Sequence, residues 1–373
     1  MPSIHDLETP SVLIDLDRLE RNITRMAARA REAGVALRPH AKTHKVPEIG
    51  WMQMRAGAIG LSLAKTSEAE VFAKYGFPDL FIAYPVVSPS KAERLVALSR
   101  RVKLSVGIDS MEGATVLGEA AARAGETLSV SLKVDSGFHR VGVAPEEAVS
   151  MGTRVASMRG LILGGVFTHA GQAYHRTDPL EIQKDSATEA AIVAEAAEGL
   201  RKAGVPIETV SVGSTPTSRF GFAYQGLTEA RPGNYVYLDR TQVGLQTCAF
   251  EDCAMSILAT VVSVSGQDRA VLDSGSKTLA LDMTRPRPDG YGLVIGTESR
   301  LSGLSEEHGM VAVAKGDAFK VGQRVRVLPN HACVVSNLHN RVYGVRGERV
   351  EAVFEVAARG CVCLLYTSDA ADE

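Results

Sequence analysis

The chain has 373 residues, of which 45% are hydrophobic, and a formal net charge of −2. This length allows one large barrel and a smaller second domain. The small net charge, without blocks of like charge, argues against binding to nucleic acid or to an anionic membrane surface. The longest apolar runs have the length of strands, well below the roughly 20 residues that a membrane-spanning helix needs.

The cysteines and the first residues indicate the compartment. Five scattered cysteines are too few for a disulfide framework. Residues 3–6 are polar where a signal peptide would become apolar. We therefore expect a cytoplasmic protein.

Strands and helices alternate over the first two thirds of the chain. Residues 11–15 predict a strand and residues 17–33 a helix, and a strand–turn–helix unit then recurs. Further strands are predicted at 35–39, 58–64, 79–84, 103–108, 128–134, 161–168, 208–212 and 235–238. This alternation predicts a (β/α)8 barrel over residues 1–245, with a doubly wound sheet as the structural alternative.

The pattern changes after residue 246. Short strands separated by turn residues, with few helices, are predicted at 257–264, 269–272, 309–314, 324–328, 342–345 and 349–356. They predict a mostly antiparallel β domain over residues 246–360. Residues 361–373 fit no element, so we interpret them as a non-native tail and do not consider Cys361 or Cys363 as metal ligands.

The first predicted barrel strand ends in a dense basic cluster. Two lysines and two histidines fall within residues 40–45, and Pro39 stiffens the strand end. A lysine held there, among groups that lower its pKa, can form a Schiff base. The alternative interpretation is a solvated basic turn.

Polar residues also follow later barrel strands. Catalytic groups of (β/α)8 barrels lie at the C-terminal ends of the strands, so these residues are expected around one mouth. The candidates are Lys42, Arg140, His169, Tyr174, Ser214, Thr215, Arg231, Gly233 and Asn234.

Each candidate has a structural alternative. His169 after an apolar strand can be a hydrogen-bonded core histidine. Arg140 and Arg231 can be surface ion pairs of little consequence. The turn at residues 213–215 has a common composition, although its backbone N–H groups and hydroxyls are suited to phosphate. The prediction of a site therefore depends on the fact that all these residues follow strand ends at the same edge of the barrel.

The β domain contains a possible metal-binding pair, His331 and Cys333. On a strand, residues two apart share a face, so both side chains could reach one ion. Imidazole with thiolate favours Zn²⁺ over Mg²⁺ or Mn²⁺. A buried cysteine beside an unrelated histidine is the alternative.

Taken together, these motifs resemble the D-threonine aldolase and D-serine dehydratase family, which are fold type III pyridoxal-phosphate (PLP) enzymes related to alanine racemase. The resemblance extends over about residues 9–360. The motifs that carry it are RPHAKTHK at 38–45, THAG at 168–171, RPGNY at 231–235 and PNHAC at 329–333.

The resemblance implies a role for each candidate residue. Lys42 matches the lysine that holds PLP covalently, and Arg140 the arginine near the ring hydroxyl. His169 matches the residue against the ring face, Tyr174 a tyrosine on the substrate side, and Arg231 the arginine at the ring nitrogen. The remaining matches are the phosphate cradle, formed by Ser214, Thr215, Gly233 and Asn234, and the metal ligands His331 and Cys333.

The family also implies a reaction. We expect a metal-dependent lyase on D-3-hydroxy amino acids, with retro-aldol cleavage slightly ahead of dehydration. Within the family, Cys333 is typical of the dehydratases, because the aldolases often have aspartate there, and it favours zinc over manganese or magnesium. A PLP carrier without turnover is the alternative class, and relatives are homodimers.

Overall fold

The computed structural model describes residues 2–284, 286 and 288–362. A parallel sheet of eight strands forms the first half. An isolated bridge between His40 and Ser62 brings its two ends together, so the sheet closes into a (β/α)8 barrel and the doubly wound alternative is wrong. The strands are β2 Ala36–Leu37, β3 Leu61–Leu63, β4 Asp79–Ile82, β5 Lys103–Ile108, β6 Leu128–Lys133, β7 Leu161–Phe167, β8 Thr209–Val212 and β9 Glu229–Ala230. Their order in the sheet is β2-β9-β8-β7-β6-β5-β4-β3.

Helices surround this barrel. In the first, Leu19, Ile23 and Met26 recur at helical spacing and are buried, while the Asp15 side chain caps its N-terminus. The helices of this half are α1 Leu16–Glu32, α2 Pro47–Arg55, α3 Thr66–Lys74, α4 Pro89–Ser99, α5 Met111–Arg123, α6 Ala148–Ala156, α7 Pro179–Lys202 and α8 Arg240–Gly244. Two short helices, α9 Ser276–Leu279 and α10 Ala332–Leu338, belong to the second half.

The predicted eighth strand at 235–238 is wrong. The strand at this position in the barrel is β9, and residues Asn234–Val236 form a 3-10 turn. Tyr235 is apolar in pattern because it is buried, and its hydroxyl accepts a hydrogen bond from Gln53 Nε2 at 2.9 Å. The apolar run at residues 235–238 therefore reflects burial in the interior and does not indicate a strand.

The second half is built on an antiparallel sheet. Its strands are β1 Ser11–Asp15, β10 Met255–Ser265, β11 Arg269–Leu272, β12 Gly292–Val294, β13 Arg300–Leu304, β14 Gly309–Ala312, β15 Arg324–Pro329, β16 Arg341–Arg346 and β17 Arg349–Glu355. The order β11-β14-β13-β12-β15-β10 closes on itself through pairing of β11 with β10, which forms a β barrel. β12 and β13 were not predicted, because both are short and contain glycine.

The two halves are joined by the first strand. β1 pairs antiparallel with β10 and parallel with β16, although the predicted boundary places residues 1–245 in the barrel half. The chain therefore enters the barrel from the β domain and returns to it after α8. This arrangement brings α10 of the β domain against the turn after β2.

Candidate active site

A cavity of about 340 Å³ opens where the barrel strands end and the β domain begins. Every residue proposed from the sequence lines it, so the structure brings the whole predicted set together. Those residues are Lys42, Arg140, His169, Tyr174, Ser214, Thr215, Arg231, Gly233, Asn234, His331 and Cys333.

Lys42 lies in a 3-10 turn that follows β2. Its backbone N–H donates to His40 Nδ1 at 3.4 Å, and the preceding Pro39 carbonyl accepts from Ser62. Within residues 2–284, 286 and 288–362, no side chain forms a hydrogen bond or ion pair with its amine. Burial lowers the pKa of Lys42, Arg140 and Arg231 lower it further, and Cys333 opposes them. These conditions favour a nucleophilic amine.

Lys45, three residues later, has a different environment. Its Nζ lies 3.0 Å from Glu68 Oε1 and donates to Asn337 Oδ1 at 2.8 Å. Both the lysine and the glutamate are buried. Lys45 therefore links the barrel to α10 and does not face the cavity.

His169 and Arg231 are fixed by backbone carbonyls. His169 Nδ1 donates to the Gly213 carbonyl, which leaves Nε2 as an acceptor. Burial, together with Lys42 and Lys133, holds the pKa of His169 well below its usual value, so the ring is neutral. Arg231 donates to Thr168 O at 2.6 Å and is buried, which lowers its pKa to about 10.

A cradle suited to phosphate lies between two turns. A Cβ on Gly213 would lie 2.9 Å from the Arg231 carbonyl carbon, and a Cβ on Gly233 would lie 2.9 Å from His40 O. Both positions therefore require glycine for the backbones to approach. Thr215 Oγ1 is buried without a hydrogen-bond partner among the described residues, which fits an anion that accepts from it.

The metal candidates meet in a way that the sequence did not predict. The strand expected around residue 331 is wrong: His331 is the N-cap of α10 and Cys333 lies in its first turn. The two side chains still interact. Burial raises the pKa of the Cys333 thiol, but the charge and the hydrogen bond of His331 outweigh burial, so the pKa is lowered. Burial lowers the pKa of His331, but Cys333 and the nearby Asp239 and Asp282 raise it to about 9.

The protein supplies few further ligands at this point. Cys333 Sγ lies 3.2 Å from Thr43 Oγ1, and His331 Nδ1 lies 3.6 Å from Asp282 Oδ1. Within the described part of the chain, no group of three or more His, Cys, Asp or Glu side chains has the arrangement of a metal site. A metal on His331 and Cys333 would keep positions open for water or substrate.

The remaining candidates lie around the same opening. Tyr174 is in a short 3-10 turn after β7, and burial raises the pKa of its phenol, so it stays protonated. Arg140 is exposed, with its guanidinium 4.7 Å from the Phe138 ring centroid. Both can contact a bound ligand without serving as bases.

Sequence reasoning missed Lys133, a basic residue of the cavity. Lys133 ends β6, is 6% exposed and has its Nζ 5.4 Å from the Phe167 ring centroid. Burial and the neighbouring cations Arg140 and Arg231 lower its pKa to about 7. Its position as the last residue of a barrel strand is the signal that could have found it.

Known proteins match this chain over most of its length. The alanine racemase N-terminal domain matches residues 14–241, and a putative serine dehydratase domain matches residues 254–345. A D-threo-3-hydroxyaspartate dehydratase of Delftia sp. is 38% identical over 88% of this chain and 91% of its own. A D-threonine aldolase of Arthrobacter sp. is 33% identical over 95% of this chain and 93% of its own.

A solved structure has the same fold. It is of a D-threo-3-hydroxyaspartate dehydratase, as a cysteine-to-alanine mutant in the metal-free form. It superposes with a TM-score of 0.90 and 34% identity, covering 95% of this chain and 99% of the other.

The fold and the matching domains define a fold type III PLP enzyme. The chain belongs to the family of alanine racemase-like lyases that contains D-threonine aldolase and D-serine and D-3-hydroxyaspartate dehydratases. Among the described residues, no helix has the length and apolar character needed to cross a membrane.

Proposed function

We propose that this chain is a PLP- and divalent-metal-dependent lyase that acts on D-3-hydroxy amino acids. One observation supports this most directly: the Lys42 amine, the Ser214–Thr215 cradle and the His331–Cys333 pair line the same cavity. A carrier protein would need the lysine and the cradle but not the thiol–imidazole pair.

The chain's residues suit the cofactor. PLP, when bound, stores the electron pair released at the substrate Cα. We assign Lys42 to the cofactor aldehyde, and its lowered pKa lets the freed amine act as the base at Cα. Arg231, which keeps its proton, would leave the ring nitrogen unprotonated, and we assign His169 to the face of the ring.

We assign the metal to His331 and Cys333. Thiolate and imidazole favour zinc over manganese or magnesium, and an open coordination site would polarise the substrate hydroxyl. The related dehydratase structure with an altered cysteine is described as metal-free, which is consistent with a cysteine ligand in that protein.

Among lyase reactions we favour dehydration. Lys42 would take the proton from the substrate Cα, and the hydroxyl group would leave Cβ, so that one water molecule is lost in total. The released enamine would isomerise to an imine, which a second water molecule would hydrolyse to a 2-oxo acid and ammonia. Cys333 and the relative at 38% identity support this choice. Retro-aldol cleavage to glycine and an aldehyde, which the sequence analysis placed slightly ahead, is the second candidate, supported by the Arthrobacter relative.

A product assay separates these reactions. Purified enzyme with PLP and zinc is given D-serine, D-threonine and D-threo-3-hydroxyaspartate, and ammonia, 2-oxo acid and aldehyde are measured. Ammonia with 2-oxo acid supports dehydration, and glycine with an aldehyde supports the aldolase. No product from any substrate, with PLP bound, would favour the carrier.

We also propose a homodimer, which measurement of the molecular mass by sedimentation would test.

A further inference from the structure

A buried carboxyl group lies behind the phosphate cradle. Glu189, on α7, is 1% exposed and has no ion-pair partner among the described residues. Its Oε2 accepts from the Ala170 backbone N–H at 3.1 Å, and its Oε1 lies 2.7 Å from Thr217 Oγ1. This single side chain therefore ties the turn of His169 to the turn after β8.

Two hydroxyls continue from this carboxyl toward the cavity. Thr217 Oγ1 lies 2.9 Å from Ser214 Oγ, and either hydroxyl can be the donor. The Thr217 backbone N–H also donates to Ser214 Oγ, at 3.3 Å. Because each hydroxyl has one proton, the direction of donation along Glu189, Thr217 and Ser214 is set at Glu189.

The two protonation states of Glu189 have opposite effects on Ser214. When Glu189 is ionised, Thr217 donates to the carboxylate and Ser214 donates to Thr217, so Ser214 presents a lone pair to the cavity. When Glu189 is protonated, it donates to Thr217 and Thr217 donates to Ser214. Both lone pairs of Ser214 are then occupied, so its proton is directed to a bound anion.

We propose that Glu189 is a positioning residue whose proton orients the Ser214 hydroxyl to donate to the phosphate of PLP. This inference rests on the proposed placement of the phosphate at Ser214 and Thr215. It adds that cofactor binding is coupled to one proton held outside the cavity.

The surroundings of Glu189 allow that proton at neutral pH. Burial raises the pKa of Glu189 to about 7, against the hydrogen bonds from Thr217 and Ala170 and the charge of Arg231. His169 on the facing turn is neutral because its pKa is well below normal. Asp185, one turn earlier on α7, is paired with Arg176 at 2.8 Å.

Phosphate binding without Schiff-base chemistry tests the proposal. Full-length protein freed of cofactor is titrated with pyridoxine 5′-phosphate, which has an alcohol in place of the aldehyde, at pH 6 and pH 8.5. Glu189→Gln places an amide donor toward Thr217 and mimics the protonated acid. At pH 6 the two proteins should bind alike, and at pH 8.5 the wild type should bind more weakly than the variant, by at most about 30-fold.

Matched variants separate this role from a structural one. Glu195→Gln, on the exposed face of the same helix, should keep the wild-type pH profile. Thr217→Val removes the hydroxyl that connects Glu189 to Ser214, a connection we call the relay. This variant should bind pyridoxine 5′-phosphate more weakly than the wild type. Its binding should also lack the pH dependence that Glu189→Gln removes. Thermal unfolding checks that each variant is folded.

Three outcomes would overturn the inference. A ratio of wild-type to Glu189→Gln affinity that does not change with pH would show that the proton does not orient Ser214. If folded Glu189→Gln protein failed to bind pyridoxine 5′-phosphate at both pH values, the proposed role of the Glu189 proton would also be wrong. Absence of binding by every form, wild type included, would overturn the placement of the phosphate together with the relay.

Discussion

Lys42 and Lys45 should respond in opposite ways to replacement by alanine. The two residues have the same chemistry and lie in one basic cluster. The Lys42 amine faces the cavity and has no partner among the residues that the structure describes, whereas Lys45 is paired with buried Glu68. Lys42→Ala should abolish covalent PLP binding and turnover while the protein stays folded. Lys45→Ala should keep the cofactor and lose stability.

The structure gives the size of the second effect. The Lys45 and Glu68 side chains are 8% and 2% exposed, so removing the lysine leaves a buried carboxylate unpaired. Such a change costs about 3–5 kcal/mol. Unfolding entropies of about 2.1 cal/mol/K per residue, taken over 373 residues, convert this cost into a Tm lower by roughly 5 °C. Lys42→Ala removes no ion pair within the described part of the chain, so its Tm should change by less than about 2 °C.

Two measurements on each variant decide the matter. Visible absorption of the dialysed protein with PLP reports the covalent cofactor, and thermal unfolding of the cofactor-free form reports stability without ligand effects. A Lys45→Ala protein that loses the absorption while Lys42→Ala keeps it would refute the assignment. Equal Tm values for wild type and Lys45→Ala would refute the energetic argument.

Three further predictions concern the metal and the cavity. Cys333→Ala should lower bound zinc and activity but keep the cofactor; an unchanged zinc content by elemental analysis would remove Cys333 from the site. A chelator should abolish turnover and added zinc should restore it, whereas full activity after verified metal removal would contradict a catalytic metal. Lys133→Met should raise the Tm of cofactor-free protein most at and below pH 7, because the folded pKa of about 7 lies below the unfolded value of 10.5. That gain should shrink as the pH rises toward 10.5, and a gain that grows with pH would contradict the prediction.

The active-site residues of the barrel were predictable because they follow local patterns. Apolar strands that end in polar turns identify Lys42, His169 and Ser214, and the barrel rule places all strand ends at one mouth. The structure confirms the barrel and brings these residues to one cavity. Their chemical roles remain predictions.

Local pattern failed where burial was not accompanied by a strand. Residues 235–238 are apolar because they pack in the interior, and β9 ends before Pro232. His331 and Cys333 meet at the start of a helix, although a strand was expected. A short apolar or alternating run fits more than one backbone conformation. In both cases the tertiary environment decided which conformation forms.

The sequence alone determined the alternation of strands and helices as far as β8, the basic cluster after the first barrel strand and the thiol–imidazole pair. Only the tertiary structure decided which lysine is paired, because Glu68 and Asn337 are distant in sequence and reach Lys45 through folding. It also decided that Glu189 lies behind Ser214, since α7 and the turn after β8 meet by packing. Ion pairs and hydroxyl relays depend on distances of about 3 Å between remote segments, and no periodicity in a sequence encodes such distances.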